Sequence, residues 1–215
     1  MVSDTLRSVW KHIEDSHNNC ADLCRGCPLC DSPLLLLRPD RPEYVRVMVV
    51  TEGPNRYEPI EFLVSCANLP TYPYLYTLFR GKFRPVGPGA NVYWTHVYKC
   101  FLDGKQSMAK DASRKCRRYL EYEVKALEPR LILAVGNSAF KALRAGSRDK
   151  RLKRRLEDAF KEQLRGPFKN VDIFGVTVDL AVVPHPSGRN RFWNNPPSNT
   201  PQILNSISEA ILKII

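Results

Sequence analysis

Leu131-Ile132-Leu133-Ala134-Val135-Gly136-Asn137-Ser138 combine a short apolar run with a tight turn. Five consecutive apolar residues are typical of a strand that is buried on both faces. The glycine and the polar residues behind it predict that the chain turns there into a helix, which we expect to continue through Leu143. This strand, turn and helix unit indicates an α/β protein.

Further strands and helices are predicted on both sides of this unit. Upstream, β-branched runs at Tyr44 to Thr51 and Asn91 to Val97 predict two strands, and Ser113 to Leu127 predicts a helix. Downstream, Phe174 to Val183 completes the sheet as a hairpin across Gly175. The alternation predicts a doubly wound parallel sheet with right-handed crossovers.

The length of 215 residues and the 43% of hydrophobic residues indicate a single domain over residues 1–215. Amphipathic segments from Asp4 to His17 and from Gln202 to Ile214 predict its first and last helices. The first helix leads into a cysteine-rich segment, and together they occupy about residues 1–40. We expect the protein to be a monomer.

The formal net charge of +11 predicts a polyanionic partner, with DNA first and an anionic membrane second. No apolar run approaches the roughly 20 residues that span a bilayer. Residues 1–20 are too polar and acidic for a signal peptide. We therefore expect a soluble cytoplasmic protein that binds DNA and no membrane.

A histidine follows the predicted strand that ends at Val183. Pro184 and Pro186 prevent the strand from continuing, which places His185 at its carboxyl end, where open α/β sheets bind ligands. Ser187 and the glycine after it form a turn that lets the backbone approach a ligand. The alternative is a surface loop with one ordinary histidine.

Basic and aromatic residues continue this loop. Arg189, Asn190 and Arg191 are candidates for holding DNA, and the two arginines can reach its phosphates. Phe192 and Trp193 are residue types that wedge between or stack on bases.

Glu52 comes directly after the predicted strand that ends at Thr51, in the turn Glu52-Gly53-Pro54-Asn55. A carboxylate at a strand end can orient or deprotonate a water molecule. In isolation, a helix-capping acid is the commoner role for such a residue.

Four of the seven cysteines form the cluster Cys20-x3-Cys24-x2-Cys27-x2-Cys30. An odd number of cysteines without a secretory signal predicts metal ligation or free thiols rather than disulfides. The segment from Arg148 to Arg165 is a highly charged helical stretch. It either follows a DNA backbone or is a solvated helical face.

In their order along the chain, these motifs resemble those of the uracil-DNA glycosylase superfamily, and the chain is most similar to its iron–sulfur enzymes, called family 4. The resemblance covers about residues 24–190. The motifs that carry it are Cys24-x2-Cys27-Pro28-Leu29, Glu52-Gly53-Pro54, Val97-Tyr98-Lys99-Cys100, Cys116, Gly136-Asn137-Ser138-Ala139 and His185-Pro186-Ser187.

The resemblance implies a three-layer α/β/α fold with a central four-stranded, mainly parallel sheet. It also implies a [4Fe–4S] cluster held by Cys24, Cys27, Cys100 and Cys116, since thiolates are the ligands such clusters require. Zinc is the rival metal, because four thiolates suit it equally well.

The resemblance further implies a DNA glycosylase that flips a base into a pocket and hydrolyses its glycosidic bond. His185 would stabilise negative charge on the departing base, Glu52 would position water, and Ser187 would grip a phosphate. Phe62 or Tyr57 would stack on the base. No motif places a lysine beside the catalytic pair, so we expect a monofunctional enzyme that leaves an abasic site.

Two positions depart from the family pattern. His96 stands where an asparagine amide normally reads the N3–H and O4 of uracil, and an imidazole cannot reproduce that pair of contacts. Asn55 replaces the usual glycine after the proline of the first motif.

These departures indicate a reshaped pocket whose base is uracil, a deaminated purine or a bulky modified pyrimidine. Glucosylated hydroxymethylcytosine from phage DNA would make the protein an antiviral glycosylase. The remaining alternatives are a catalytically inactive DNA-binding relative and a zinc-bound nucleotide-handling protein.

Overall fold

The computed structural model describes residues 2–54, 71–102, 106–187 and 190–215. Its helices are α1 Val2–Asn18, α2 Thr71–Leu78, α3 Ala109–Leu127, α4 Asn137–Ala145, α5 Leu156–Lys161 and α6 Thr200–Leu212. Its strands are β1 Val47–Thr51, β2 Val92–His96, β3 Leu131–Val135, β4 Phe168–Ile173 and β5 Val176–Val183. None of the helices in these ranges combines the length and apolar character needed to cross a membrane.

These strands form one sheet in the order β2-β1-β3-β5-β4. The first four in this order are parallel, and β4 pairs antiparallel with β5 at the edge. The α/β prediction is therefore confirmed, but the sheet has five strands instead of four. The extra strand is β4, which carries Lys169, Asn170 and Asp172 on its exposed positions and so lacks a continuous apolar run. The hairpin across Gly175 is present, with Ile173 opposite Val176.

Two cores cover the two faces of the sheet, because successive strand residues point to opposite sides. Met48 and Val50 of β1 belong to the core that α1, α3 and α4 cover. Val47 and Val49 belong to the core that α2 and α6 cover. All five residues of β1, β2 and β3 are buried, as expected for strands between two helical layers. The three-layer arrangement predicted from the sequence is confirmed.

The basic segment from Arg148 to Arg165 is not one solvated helix. It contains a 3-10 turn at Lys150–Leu152, then α5, then a second 3-10 turn at Glu162–Arg165. Arg155 has an extended backbone between the first turn and α5. Leu152, Leu156, Ala159 and Phe160 are buried, so the segment packs on the domain. Most of its cations are exposed, whereas Arg154 is partly buried.

Candidate functional site

The carboxyl ends of β1 and β3 border the point where the chain reverses its direction across the sheet. The chain passes from β1 to β2 on one side, whereas β3 and β5 lie on the other. Open α/β sheets bind ligands in the crevice at such a switch point. Glu52 follows β1 there, and its Oε1 accepts a hydrogen bond of 2.8 Å from Ser138 Oγ at the start of α4. The Glu52 side chain is exposed and can reach a water molecule.

His185 reaches the same crevice from the end of β5 and lines one cleft with Glu52, Ser138 and Ser187. The close approach depends on Gly136, which has a φ of +87° and follows β3. A Cβ atom on Gly136 would lie 3.1 Å from the Cβ of His185. Residues from three strand ends, which are far apart in the sequence, thus line one cleft.

Hydrogen bonds assign the proton of the His185 ring. The backbone N–H of Ser187 donates to Nδ1 at 3.2 Å, so Nδ1 is the acceptor and Nε2 carries the hydrogen. Nε2 lies 3.3 Å from the Thr71 hydroxyl oxygen. Burial lowers the pKa of His185, and the opposing influence of Glu52 is smaller. A neutral histidine therefore presents an N–H donor that can stabilise an oxygen gaining negative charge.

The loop after His185 is closed by its own polar side chains. The His185 carbonyl accepts hydrogen bonds from Asn190 Nδ2 at 2.9 Å and from Trp193 Nε1 at 2.8 Å. Asn190 Oδ1 accepts the backbone N–H of Phe192 at 3.1 Å. The Asn190 amide, which we predicted to hold DNA, therefore folds the loop and lines the cleft at the same time. Arg191 is exposed.

Gly53 and Pro54 continue the turn after Glu52. A Cβ atom on Gly53 would overlap the ring of Tyr98, which is buried. Burial, together with the nearby Glu52, raises the pKa of Tyr98. The glycine thus has a packing reason that the sequence alone did not reveal. Pro54 is buried.

Four residues that the sequence singled out lie outside the described residues. They are Asn55, Tyr57, Phe62 and Arg189.

His96 ends β2 beside Glu52, because its register partner is Thr51. Its side chain is only 2% exposed and is not part of the cleft lining. Burial, and then the charge of Lys99, lower its pKa from 6.5 to about 3. The ring is therefore neutral at physiological pH.

One nitrogen of His96 is bonded and the other is not. Nδ1 lies 2.6 Å from Thr51 Oγ1, which also accepts the Trp94 indole N–H at 3.1 Å. The other acceptor within reach of the Thr51 hydroxyl proton, Thr95 O, is 3.5 Å away, so the proton goes to Nδ1. His96 Nε2 then carries a hydrogen, and it has no partner among the described residues.

A buried ion pair lies behind His96. Lys99 Nζ lies 2.7 Å from Glu123 Oε2, and the two side chains are 1% and 0% exposed. Lys99 Nζ also donates to Thr95 Oγ1 at 2.7 Å and to the His96 carbonyl at 2.5 Å. Glu123 in turn accepts from the Tyr93 hydroxyl at 2.7 Å. This network commits the Lys99 amine to structure, which removes it as a covalent nucleophile.

The four predicted cluster ligands share one buried region. Cys24, Cys100 and Cys116 are buried together, and Cys27 packs against them. All four are free thiols, whereas Cys20 and Cys30 form a disulfide. The expectation that the chain has no disulfide was therefore wrong, since pairing cannot be deduced from cysteine spacing.

The electrostatics of these thiols bear on whether they suit a metal. Burial raises the pKa of Cys116 to about 11, and the neighbouring Cys27 and Cys24 add to the effect. Burial and then the other three thiols raise the pKa of Cys100. Thiolates that repel one another are the donor set that a bound cation would stabilise. Nevertheless, the described residues contain no group of three or more histidines, cysteines or acids arranged to hold a metal ion.

A comparison with protein families finds a match that covers most of the chain. The model of the uracil DNA glycosylase superfamily matches residues 41–209 of the 215-residue chain. The match includes every strand of the sheet and both residues of the candidate catalytic pair. The search of curated proteins found no match.

Proposed function

Because this chain belongs to the uracil DNA glycosylase superfamily, we propose that it is a monofunctional DNA glycosylase that hydrolyses the N-glycosidic bond of a flipped nucleotide. The observation that carries the proposal is the pairing of Glu52 and His185 in one cleft at the switch point of the sheet. The Glu52 carboxylate and the neutral His185 N–H donor line the same cleft. The carboxylate suits the positive charge that bond cleavage creates on the sugar, and the N–H donor suits the negative charge on the base.

Breaking the glycosidic bond leaves positive charge on the sugar and negative charge on an oxygen of the base. The exposed Glu52 carboxylate, held by Ser138, positions the attacking water and stabilises the sugar cation. The His185 Nε2–H donates to the base oxygen, after its bond to Thr71 is exchanged for the substrate. The proposed product is an abasic site, since the buried Lys99 amine is already bonded to three oxygens. Lys141 and Lys153 line the cleft, so borohydride trapping also tests them as nucleophiles.

Base release from labelled oligonucleotides tests the proposal. Wild-type protein is expected to produce abasic sites that break only after alkali, and borohydride is expected to trap no covalent adduct. His185→Ala should reduce the rate by about 10²- to 10³-fold, the usual cost of one donor to a developing oxyanion. DNA binding without base release from any substrate would instead indicate the inactive DNA-binding relative.

We propose that His96 narrows the choice of base. Its ring is buried next to Glu52 and does not line the cleft, so the flipped base would have to displace the groups that cover it. The unpartnered Nε2–H of His96 would pair with a carbonyl oxygen or ring nitrogen, but it cannot accept a second hydrogen bond from N3–H. Uracil and hypoxanthine both offer such an acceptor. The oligonucleotide panel should therefore show activity on both bases, and His96→Asn should shift the preference towards uracil.

A bulky modified pyrimidine is the second candidate substrate. The cleft that contains Glu52 and His185 has a volume of about 1120 Å³, slightly above the roughly 300 to 1,000 Å³ typical of small-molecule pockets. Glucosylated hydroxymethylcytosine in the same panel tests this candidate. Release of that base with little release of uracil would favour an antiviral role.

We propose that Cys24, Cys27, Cys100 and Cys116 hold a [4Fe–4S] cluster, as in the iron–sulfur members of the superfamily, with zinc as the alternative. Four free thiols that share one buried region support the proposal. Such a cluster would tie the amino-terminal segment to the sheet and needs no redox change for base release.

Elemental analysis and visible absorbance separate the two metals. Iron with a broad visible band supports the cluster, whereas zinc gives a colourless protein. Cys116→Ser should remove the band and Cys20→Ser should retain it, because Cys20 is bonded to Cys30. Protein that is purified without oxygen and contains neither metal would contradict the proposal.

A further inference from the structure

The cleft beside the catalytic pair has a surplus of positive charge. Among the described residues, its lining contains five basic side chains and two acidic ones: Lys141, Arg144, Lys153, Arg154 and Arg155 against Glu52 and Glu157. His185 is neutral and does not change this balance, so the cations outnumber the anions in the cleft. The surplus comes from α4 and from the part of the basic segment that lies before α5.

Two of these cations hold the segment in place. Arg144 Nη1 donates to the Arg154 carbonyl at 2.8 Å, and the Arg154 guanidinium pairs with Glu162. Leu152 and Leu156 anchor the same stretch in the core. The backbone on which Lys153 and Arg155 stand is therefore fixed before any ligand arrives.

The other three cations, Lys141, Lys153 and Arg155, form what we call the basic wall. Each of these side chains is exposed, and none is paired with an acid among the described residues. By contrast, the nearby Arg151 is neutralised by Asp149 in a salt bridge. Among the cleft cations that the structure describes, the three of the wall are therefore the ones left unpaired for a ligand.

A phosphodiester strand is the ligand whose chemistry fits the wall. Unpaired lysine and arginine side chains gain most from an anion, whereas an uncharged base offers them no charge. We propose that the basic wall binds phosphates of the DNA strand that carries the target nucleotide and so directs that strand across the cleft towards His185. This inference rests on the proposed function, because it takes DNA as the ligand.

Salt dependence of DNA binding tests the wall. Each phosphate contact contributes about 0.7 to 0.9 to the slope of log affinity against log salt concentration. The triple variant Lys141→Ala, Lys153→Ala, Arg155→Ala should lower the magnitude of the slope by about 2 to 3. The probe is a short labelled oligonucleotide of ordinary bases, single-stranded and duplex, which the enzyme does not turn over.

A matched triple variant controls for net charge. Lys110, Arg117 and Arg118 are exposed on α3 and do not line the cleft. Their replacement by alanine removes the same charge and should change the slope by less than about one contact's share. Arg114 is left out of the control because it pairs with Asp111. Equal changes in the two triple variants, or an unchanged slope in the wall variant, would overturn the proposal.

Single glutamine substitutions at Lys141, Lys153 and Arg155 keep the test valid if the triple variant fails to fold. Each should lower the slope by about 0.7 to 0.9. The failure of the wall is distinguishable from the failure of the enzyme. An unchanged slope together with base release that depends on His185 rejects the wall alone, whereas a reduced slope without base release rejects the glycosylase alone.

Discussion

Replacing His96 by asparagine should make the protein less sensitive to acid. Burial, followed by the charge of Lys99, lowers the pKa of His96 from 6.5 to about 3 in the folded protein. Between these two values the unfolded chain binds a proton that the folded chain does not, so stability falls as the pH falls. At about pH 4.5, two units below 6.5, the loss is about 2.7 kcal/mol, at about 1.36 kcal/mol for each unit. His96→Asn removes this titration.

Urea unfolding at several pH values between about 8 and 4.5 measures the effect. The free energy of unfolding of His96→Asn relative to the wild type should rise by about 2 to 3 kcal/mol over this range. His96→Phe is the control, since it also lacks the titrating ring but packs differently against Trp94. Both variants should show the same pH dependence, whatever their stability at neutral pH. A difference from the wild type that stays constant within about 0.5 kcal/mol would refute the reasoning.

Two further substitutions test the packing behind the site. Lys99→Met should reduce the free energy of unfolding by about 3 to 5 kcal/mol, because it leaves the Glu123 carboxylate buried without its partner. The added substitution Glu123→Gln should recover part of this loss in urea unfolding. A cost below about 1 kcal/mol for Lys99→Met alone would contradict the buried ion pair. Gly53→Ala should cost about 1 to 3 kcal/mol through overlap with the Tyr98 ring. Tyr98→Leu in the same chain should relieve the overlap, and an unchanged melting temperature for Gly53→Ala alone would rule it out.

The part of the site that follows strand ends could be predicted from the sequence. A proline that stops a buried strand places the next residue at the carboxyl end of that strand. This argument predicted the position of His185. Glu52 was placed by the same argument from the strand before it. Since the carboxyl ends of parallel strands meet at one edge, local patterns were sufficient to bring these two residues together.

The contacts that depend on packing could not be predicted in this way. Glu123 lies on a helix rich in charged residues, where nothing in the sequence distinguishes a buried acid from a solvated one. β4 was missed because Lys169 and Asn170 are both polar and exposed, which breaks the alternation typical of a strand where the register with β5 shifts. The basic segment did carry a signal, since Leu152, Leu156 and Phe160 recur at helical spacing, but its charge obscured their burial.

Lys99 connects the cysteine region to His96 and affects how variants of either should be interpreted. Its backbone makes a hydrogen bond with the Cys116 thiol, and its carbonyl accepts the Leu35 N–H at 2.8 Å. Its amine reaches the carbonyl of His96. A change at Cys116 therefore removes a hydrogen-bond partner of the residue that holds the end of β2. Loss of base release in a cysteine variant would therefore not show that a cofactor takes part in the chemistry. A shift of His96 would cause the same loss. The role of the thiols has to be judged from the metal content and the visible absorbance of the protein.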